Sequence, residues 1–158
     1  MKVLIVDDET PARNLIKHYL KPFDNIELIG ECSNGFEGVK AIKELKPDLI
    51  FLDIQMPKLT GFEMLELIEH IPLVVFTTAY DQYAIKAFEA NAVDYLLKPF
   101  DENRFAGAIE KALQRIDNNK QDNQIKKVIE SAQENLQQIV ANHGNSIIII
   151  PTPDIYTI

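Results

Sequence analysis

The sequence predicts an α/β fold, a five-stranded parallel sheet with helices on both faces. Three observations predict it. Short, strongly apolar runs recur along the chain, at Val3 to Val6, Leu49 to Leu52, Val74 to Phe76 and Val93 to Leu97. A short run that is apolar at successive positions reads as a strand buried on both faces. Segments with helical apolar spacing lie between these runs, and the connections are short, so right-handed crossovers make the sheet parallel.

Val3 to Val6 is the first strand. Ala12, Leu15, Ile16, Tyr19 and Leu20 then share one helical stripe, which places a first helix from about Pro11 to Lys21. Ile26 to Glu31 reads as the second strand, and Phe36, Val39, Ile42 and Leu45 mark a second helix that Pro47 stops. Leu49 to Leu52 is the third strand. The loop from Gln55 to Gly61 precedes a third helix carrying Phe62, Leu65 and Ile68. Pro72 opens a fourth strand that runs through Thr78, and a fourth helix, from about Gln82 to Ala90, is expected to bury Ala84, Ala87 and Phe88. The fifth strand begins at Val93. A last helix, from about Glu102 to Ile116, carries Phe105, Ile109, Ala112, Leu113 and Ile116.

Asp117 to Asn123 holds no apolar residue, so it reads as a linker and the first domain spans residues 1–116. Ile125, Ile129, Ala132, Leu136 and Ile139 then follow in alternating steps of four and three. This seam, about two heptads long, suits either a coiled coil or an amphipathic helix packed on its own domain. His143-Gly144-Asn145 supplies a stop, Ser146 to Ile150 an apolar strand, Pro151 to Asp154 a turn, and Ile155 to Ile158 the start of another strand. Two strands cannot bury a core alone. Linker and helix therefore occupy 117–145, and 146–158 reads as the start of an incomplete second domain.

Composition excludes several classes. Of the 158 residues 46% are apolar, enough for a sizeable core and too many for a disordered chain. The formal charge is −8, and Arg13, Arg104 and Arg115 form no run, so there is no basic footprint for nucleic acid. The single cysteine, Cys32, has no internal disulfide partner, which points to a reducing compartment. No signal-peptide pattern opens the chain and no apolar run approaches the roughly 20 residues that span a bilayer. The expected location is the cytoplasm. His18, His70 and His143 share no ligand spacing.

The strand ends carry the chemistry. Asp7 and Asp8 close the first strand, Asp53 the third, Thr78 the fourth, and Lys98 the fifth, ahead of Pro99. Ligands of open α/β sheets bind outside the carboxyl ends of the strands, so topology alone gathers three carboxylates and an ammonium there. Two carboxylates about 4 Å apart repel by about 1 kcal/mol in water and about 4 kcal/mol at an effective dielectric near 20. Three together call for a cation, and an all-oxygen set with open positions suits Mg²⁺. Taken singly, each residue has a plainer reading. Asp8 suits a helix N-cap, Lys98 a solvated strand end, Thr78 an ordinary strand residue, and Tyr95 a half-buried strand aromatic. Asp48 and Asp94 sit in comparable places without an assigned role.

In order and spacing, Leu4-to-Glu9 (LIVDDE), Phe51-to-Pro57 (FLDIQMP), Thr78-Ala79 and Leu97-to-Phe100 (LKPF) resemble the receiver domain of two-component response regulators. The resemblance covers residues 1 to about 116 and implies a flavodoxin-like receiver fold. It implies that Asp53 is the nucleophile that accepts a phosphoryl group from a sensor histidine kinase. Mg²⁺ would be held by Asp8, Asp53 and the main-chain carbonyl of Gln55, with Asp7 acting through water. Lys98 and Thr78 would contact phosphoryl oxygens, Thr78 and Tyr95 would form the switch, and the Lys98-Pro99 bond would be cis. Gln55 and Tyr80 would tune hydrolysis.

Within that family, Phe76-to-Phe100 looks like receivers of the LytR/AlgR type, whose output is a LytTR DNA-binding domain, and Pro153-Asp154-Ile155-Tyr156 is similar to the start of that domain. DNA contact would need the full output domain; a homodimer would form through the fourth helix, fifth strand and last helix; no membrane is involved. A stand-alone phosphorelay carrier is a second reading. An aspartate-nucleophile phosphohydrolase is a third, but it wants an acid two residues after the nucleophile, where Gln55 stands. The chain is therefore expected to be a phosphoacceptor with at most slow self-dephosphorylation rather than an enzyme.

Overall fold

The structure, a computed structural model, describes residues 1–142. The chain divides into two units, Met1–Asp117 and a second that begins at Asn118. In the first, β1 (Lys2–Val6), α1 (Thr10–Leu20), β2 (Glu27–Cys32), α2 (Gly35–Leu45), β3 (Leu49–Asp53), α3 (Gly61–Glu66), β4 (Leu73–Thr78), α4 (Ala84–Glu89) and β5 (Asp94–Leu97) alternate, followed by α5 (Glu102–Asn142). All strand pairs are parallel, in the order β2-β1-β3-β4-β5. This is the predicted class. The order reverses at β1, which lies between β2 and β3, so the chain leaves β1 and β3 in opposite directions and a crevice opens at their carboxyl ends.

The three inner strands, β1, β3 and β4, bury both faces along most of their length, which is why their sequences are apolar at successive positions. The edge strands β2 and β5 instead leave residues such as Leu28 and Leu97 exposed. Leu4, Val6, Ile50, Leu52, Val74 and Phe76 pack under α2, α3 and α4. Val3, Ile5, Leu49, Phe51 and Val75 pack under α1 and α5, against Ile16, Leu20, Phe105 and Ile109. Local chemistry fixes the starts of α2 and α3. Asn34 caps α2, its Oδ1 accepting from the Glu37 N–H at 2.8 Å, and Thr60 and Glu63 form a reciprocal capping box at α3.

Glycine decides how close α3 comes to the sheet. A Cβ on Gly61 would lie 2.5 Å from the carbonyl oxygen of Asp53 and 3.2 Å from the Cα of Ile54. Both obstacles are backbone, so neither can turn aside. Gly61→Ala is expected to destabilise the protein by about 1–3 kcal/mol, the usual range for overpacking, read as a lower Tm. An unchanged Tm would show that the β3–α3 junction yields without strain.

Three expectations are corrected. In α4 only Ala87 of the three expected core residues is buried; Ala84 is exposed, and Phe88 is 85% exposed beside Ile85 at 76%. The helix is six residues long, and Tyr83, just before it, supplies the ring that packs on the core. In α2, Phe36 is exposed, because the face toward the sheet is made by Gly35, Gly38 and Ile42. A Cβ on Gly38 would meet Met64 Sδ at 2.7 Å, so this helix approaches too closely for a ring. Finally, the last helix does not stop at Ile116. Asp117 to Asn123 is helical within α5. Residues 108–142 contain neither glycine nor proline. Asn and Asp lower helix propensity by at most about 0.7 kcal/mol each, which slows a helix without breaking it.

In the second unit the described part is helical, and Ile125, Ile129 and Leu136 are each about half exposed. The expected stop at His143, the strand at Ser146 to Ile150, the turn at Pro151 and the strand from Ile155 lie outside the described residues. No helix among the described residues is long and apolar enough to cross a membrane.

Candidate functional site

The carboxyl ends of β1, β3, β4 and β5 place Asp7, Asp53, Thr78 and Lys98 around one crevice. Carboxylate oxygens of Asp7, Asp8 and Asp53 all lie within 4.8 Å of one another. Asp7 is fully buried and Asp53 is 4% exposed. Lys98 Nζ donates to Asp7 Oδ2 at 2.9 Å and stands 3.7 Å from Asp53 Oδ2. The Lys98-Pro99 peptide bond is cis.

Local bonding holds the acids in place. Asp7 Oδ1 accepts from the Glu9 N–H at 2.9 Å, and the Asp7 carbonyl accepts from Arg13 Nη1 at 2.6 Å. Arg13 was not foreseen from the sequence. Its only signal is its position on α1 one turn beyond Glu9, which brings its guanidinium back over the end of β1. Asp8 differs from its neighbours. Its Oδ1 is buried without a hydrogen-bond partner, although the residue itself reaches solvent. A buried carboxylate oxygen left unpaired is costly, so this atom is suited to a cation ligand.

Electrostatics point the same way. Burial, and next the charge of Asp7, push the Asp53 carboxyl up to about 7; Lys98 opposes the rise and Asp8 adds to it. Burial works against the Lys98 ammonium, but its hydrogen bond to Asp7 and the fields of Asp53 and Asp7 outweigh that, holding its pKa above the ordinary lysine value. One ammonium does not neutralise three carboxylates. A hard divalent cation with oxygen ligands fits what remains: the orphaned Asp8 oxygen, the repelled Asp53 carboxylate and an open side toward solvent.

Thr78 is buried, its Oγ1 accepting from the Tyr80 N–H at 3.2 Å. A hydroxyl that accepts one bond still has its proton to donate. Tyr95 is half-buried on β5 and its hydroxyl donates to the carbonyl of Tyr80. Gln55 is exposed, and its side-chain amide donates to the hydroxyl of Tyr83, a contact between two loops that no local pattern announced. The two unassigned aspartates have structural partners. Asp48 Oδ2 accepts from the Lys2 N–H at 2.7 Å. Asp94 takes two bonds from Arg104, at 2.6 and 2.7 Å, and one from Lys111 at 3.3 Å. Arg104 Nη2 also donates to the Tyr95 carbonyl, and Arg115 to the carbonyls of Asn91 and Ala92.

Comparison with known proteins agrees with this arrangement. Residues 3–110 match the family model of the response regulator receiver domain. The transcriptional regulatory protein BtsR of Escherichia coli K12 is 53% identical over 118 residues, 73% of this chain and 48% of that protein. An uncharacterised response regulatory protein of Vibrio cholerae is 43% identical over 159 residues, 98% of this chain and 63% of that protein. The chain thus spans about half the length of the first of these relatives and under two-thirds of the other. Among solved structures, the response regulatory domain of mrkE from Klebsiella pneumoniae matches with a TM-score of 0.67 at 35% identity, covering 73% of this chain and 97% of that one. With the β2-β1-β3-β4-β5 sheet and the acidic crevice at its carboxyl ends, these matches establish that the chain belongs to the response regulator receiver domain family.

Proposed function

We propose that this chain is a cytoplasmic Mg²⁺-dependent phosphoacceptor, taking a phosphoryl group from a sensor histidine kinase onto Asp53. The observation that carries the reading is the Asp53 carboxylate, buried and repelled by Asp7 and Asp8 beside the unpaired Asp8 oxygen. Asp8, Asp53 and the main-chain carbonyl of Gln55 would hold Mg²⁺, with Asp7 acting through water. The bound cation would supply charge neutralisation, lowering the Asp53 pKa and offsetting the charge of the phosphoryl oxygens.

In the transfer, an Asp53 carboxylate oxygen forms a bond to phosphorus as the bond from phosphorus to the kinase imidazole nitrogen breaks. Lys98, already 3.7 Å from Asp53, offers its ammonium to one phosphoryl oxygen. Thr78 offers its hydroxyl proton to another. Asp7 keeps Lys98 charged and oriented. Thr78 and Tyr95 form the switch, and Gln55 and Tyr80 tune hydrolysis. A groove of about 400 Å³ beside Lys98, with Pro11, Ala12, Leu15 and Phe100 in its walls, gives the kinase an apolar foothold.

The output we propose is transcriptional, through a LytTR-type DNA-binding domain that would begin at about residue 146, beyond the long helix α5. Sequence likeness at Pro153 to Tyr156 supports the LytTR type, and the name of the BtsR relative, a transcriptional regulatory protein, supports a transcriptional output. The proposed homodimer uses the face of α4, β5 and α5, where Ile85, Phe88 and Leu97 are exposed. A phosphohydrolase is disfavoured by the Gln55 amide, which is engaged with Tyr83 and is no acid.

The test is intact mass after incubation with Mg²⁺ and acetyl phosphate. A gain of one phosphoryl group is expected for the native chain, and none for Asp53→Asn or for the native chain in chelator. An equal gain in Asp53→Asn would move the acceptor elsewhere and overturn the assignment.

A further inference from the structure

The loop between β4 and α4 leads into a weakly anchored helix. α4 is six residues long, its N-cap residue Tyr83 makes no side-chain cap, and Ala87 is its one buried residue. Such an element has little holding it beyond its tertiary contacts. Besides the packing of Ala87 and the Tyr83 ring on the core, two tyrosine hydroxyls supply such contacts. Tyr95 donates from β5 to the Tyr80 carbonyl, and Tyr83 accepts from Gln55 Nε2 in the loop that leaves β3. The Tyr83 ring is placed for this bond, lying 6.2 Å from the Phe62 ring and 6.3 Å, edge-on, from that of Tyr80.

Gln55 is two residues beyond Asp53, and Tyr83 five beyond Thr78, so their bond joins the loops leaving two adjacent strands at the crevice. We propose that Tyr83 is a positioning residue that holds the site in its unphosphorylated arrangement by tethering the β4–α4 loop to Gln55. This inference rests on the phosphoacceptor reading above. Phosphorylation would draw the Thr78 hydroxyl, and the loop that begins beside it, toward the new phosphoryl group, and the tether opposes that displacement. A contact present in one state and absent in the other shifts the balance between them by its own free energy. A single neutral hydrogen bond corresponds to about fivefold in that equilibrium.

Tyr83→Phe keeps the ring on Phe62 and removes only the hydroxyl. With Mg²⁺ and acetyl phosphate it is expected to gain phosphoryl about fivefold faster than the native chain, while amides of residues 79–84 exchange faster in the unphosphorylated protein. Gln55→Leu should speed exchange in the same amides. The double variant should show no further increase, since both changes remove one bond. Unchanged rates and unchanged exchange in Tyr83→Phe, or additive effects in the double variant, would overturn the tether. If the native chain itself gained no phosphoryl group, the phosphoacceptor reading would fail, and exchange alone would then decide the tether: faster exchange supports it, unchanged exchange removes it.

Discussion

Replacing Lys98 with methionine is expected to lower both stability and phosphoryl transfer. Asp7 is fully buried, and Lys98 is the one cationic side chain within 4 Å of its carboxylate among the described residues. Removing one member of a buried pair strands the other charge, which typically destabilises by about 3–5 kcal/mol. Lys98 retains partial solvent access, so the lower end of that range is the expectation. Asp7→Asn in the same chain should return most of the loss, because the stranded charge is then gone. Denaturant unfolding of the two single variants and the double variant measures this directly. Equal, additive losses would mean that the pair is held for catalysis and contributes little to folding. The transfer defect separates from the stability defect, since the Lys98→Met, Asp7→Asn double variant should fold well and still accept phosphoryl slowly.

The second large effect is on pH dependence without divalent cations. An Asp53 carboxyl at about 7 in the folded protein binds its proton more tightly than the unfolded chain does, where the ordinary value is 3.8. Between pH of about 4 and 7 the folded state therefore holds the extra proton. Stability falls as pH rises through that window, by on the order of 4 kcal/mol for this group alone. Other carboxylates act oppositely. Asp94 is partly buried, which works against its charge, yet Arg104 holds it low, so it contributes stability above its unfolded pKa that is lost as pH drops. The difference between native protein and Asp53→Asn isolates the one group. In chelator, Asp53→Asn should melt progressively higher than the native chain as pH rises from 4 to 8, and Mg²⁺ should narrow the gap. Parallel melting curves across that range would show that Asp53 carries no such penalty.

Most of the sheet was legible because its determinants are local. A strand buried on both faces must be apolar at successive positions, and Leu49 to Leu52 could be little else. The strand ends then fixed where Asp7, Asp53, Thr78 and Lys98 would meet. What was not legible depended on distant neighbours. Phe88 has the right spacing for a core face, but Tyr83 takes the place against Phe62. Phe36 fits a stripe whose packing face is set by how near Gly38 lets α2 come to Met64. Polar composition at Asp117 to Asn123 signals exposure, which a solvent-surrounded helix shares with a loop. The Gln55–Tyr83 and Arg13–Asp7 contacts span 28 and 6 residues, the first with no sequence pattern at all.

The arginines of α5 have a consequence for the free border of the sheet. β5 is the last strand in the order β2-β1-β3-β4-β5, four residues long, and its outer margin is open to any extended segment seeking a ladder. Arg104 occupies the Tyr95 carbonyl on that margin, and Arg115 occupies those of Asn91 and Ala92 on the approach to it. An incoming strand would have to displace two guanidinium groups before forming its first hydrogen bonds. The helix thereby guards this edge of the sheet against edge-to-edge growth, leaving α4's exposed apolar side chains as the stickier surface nearby.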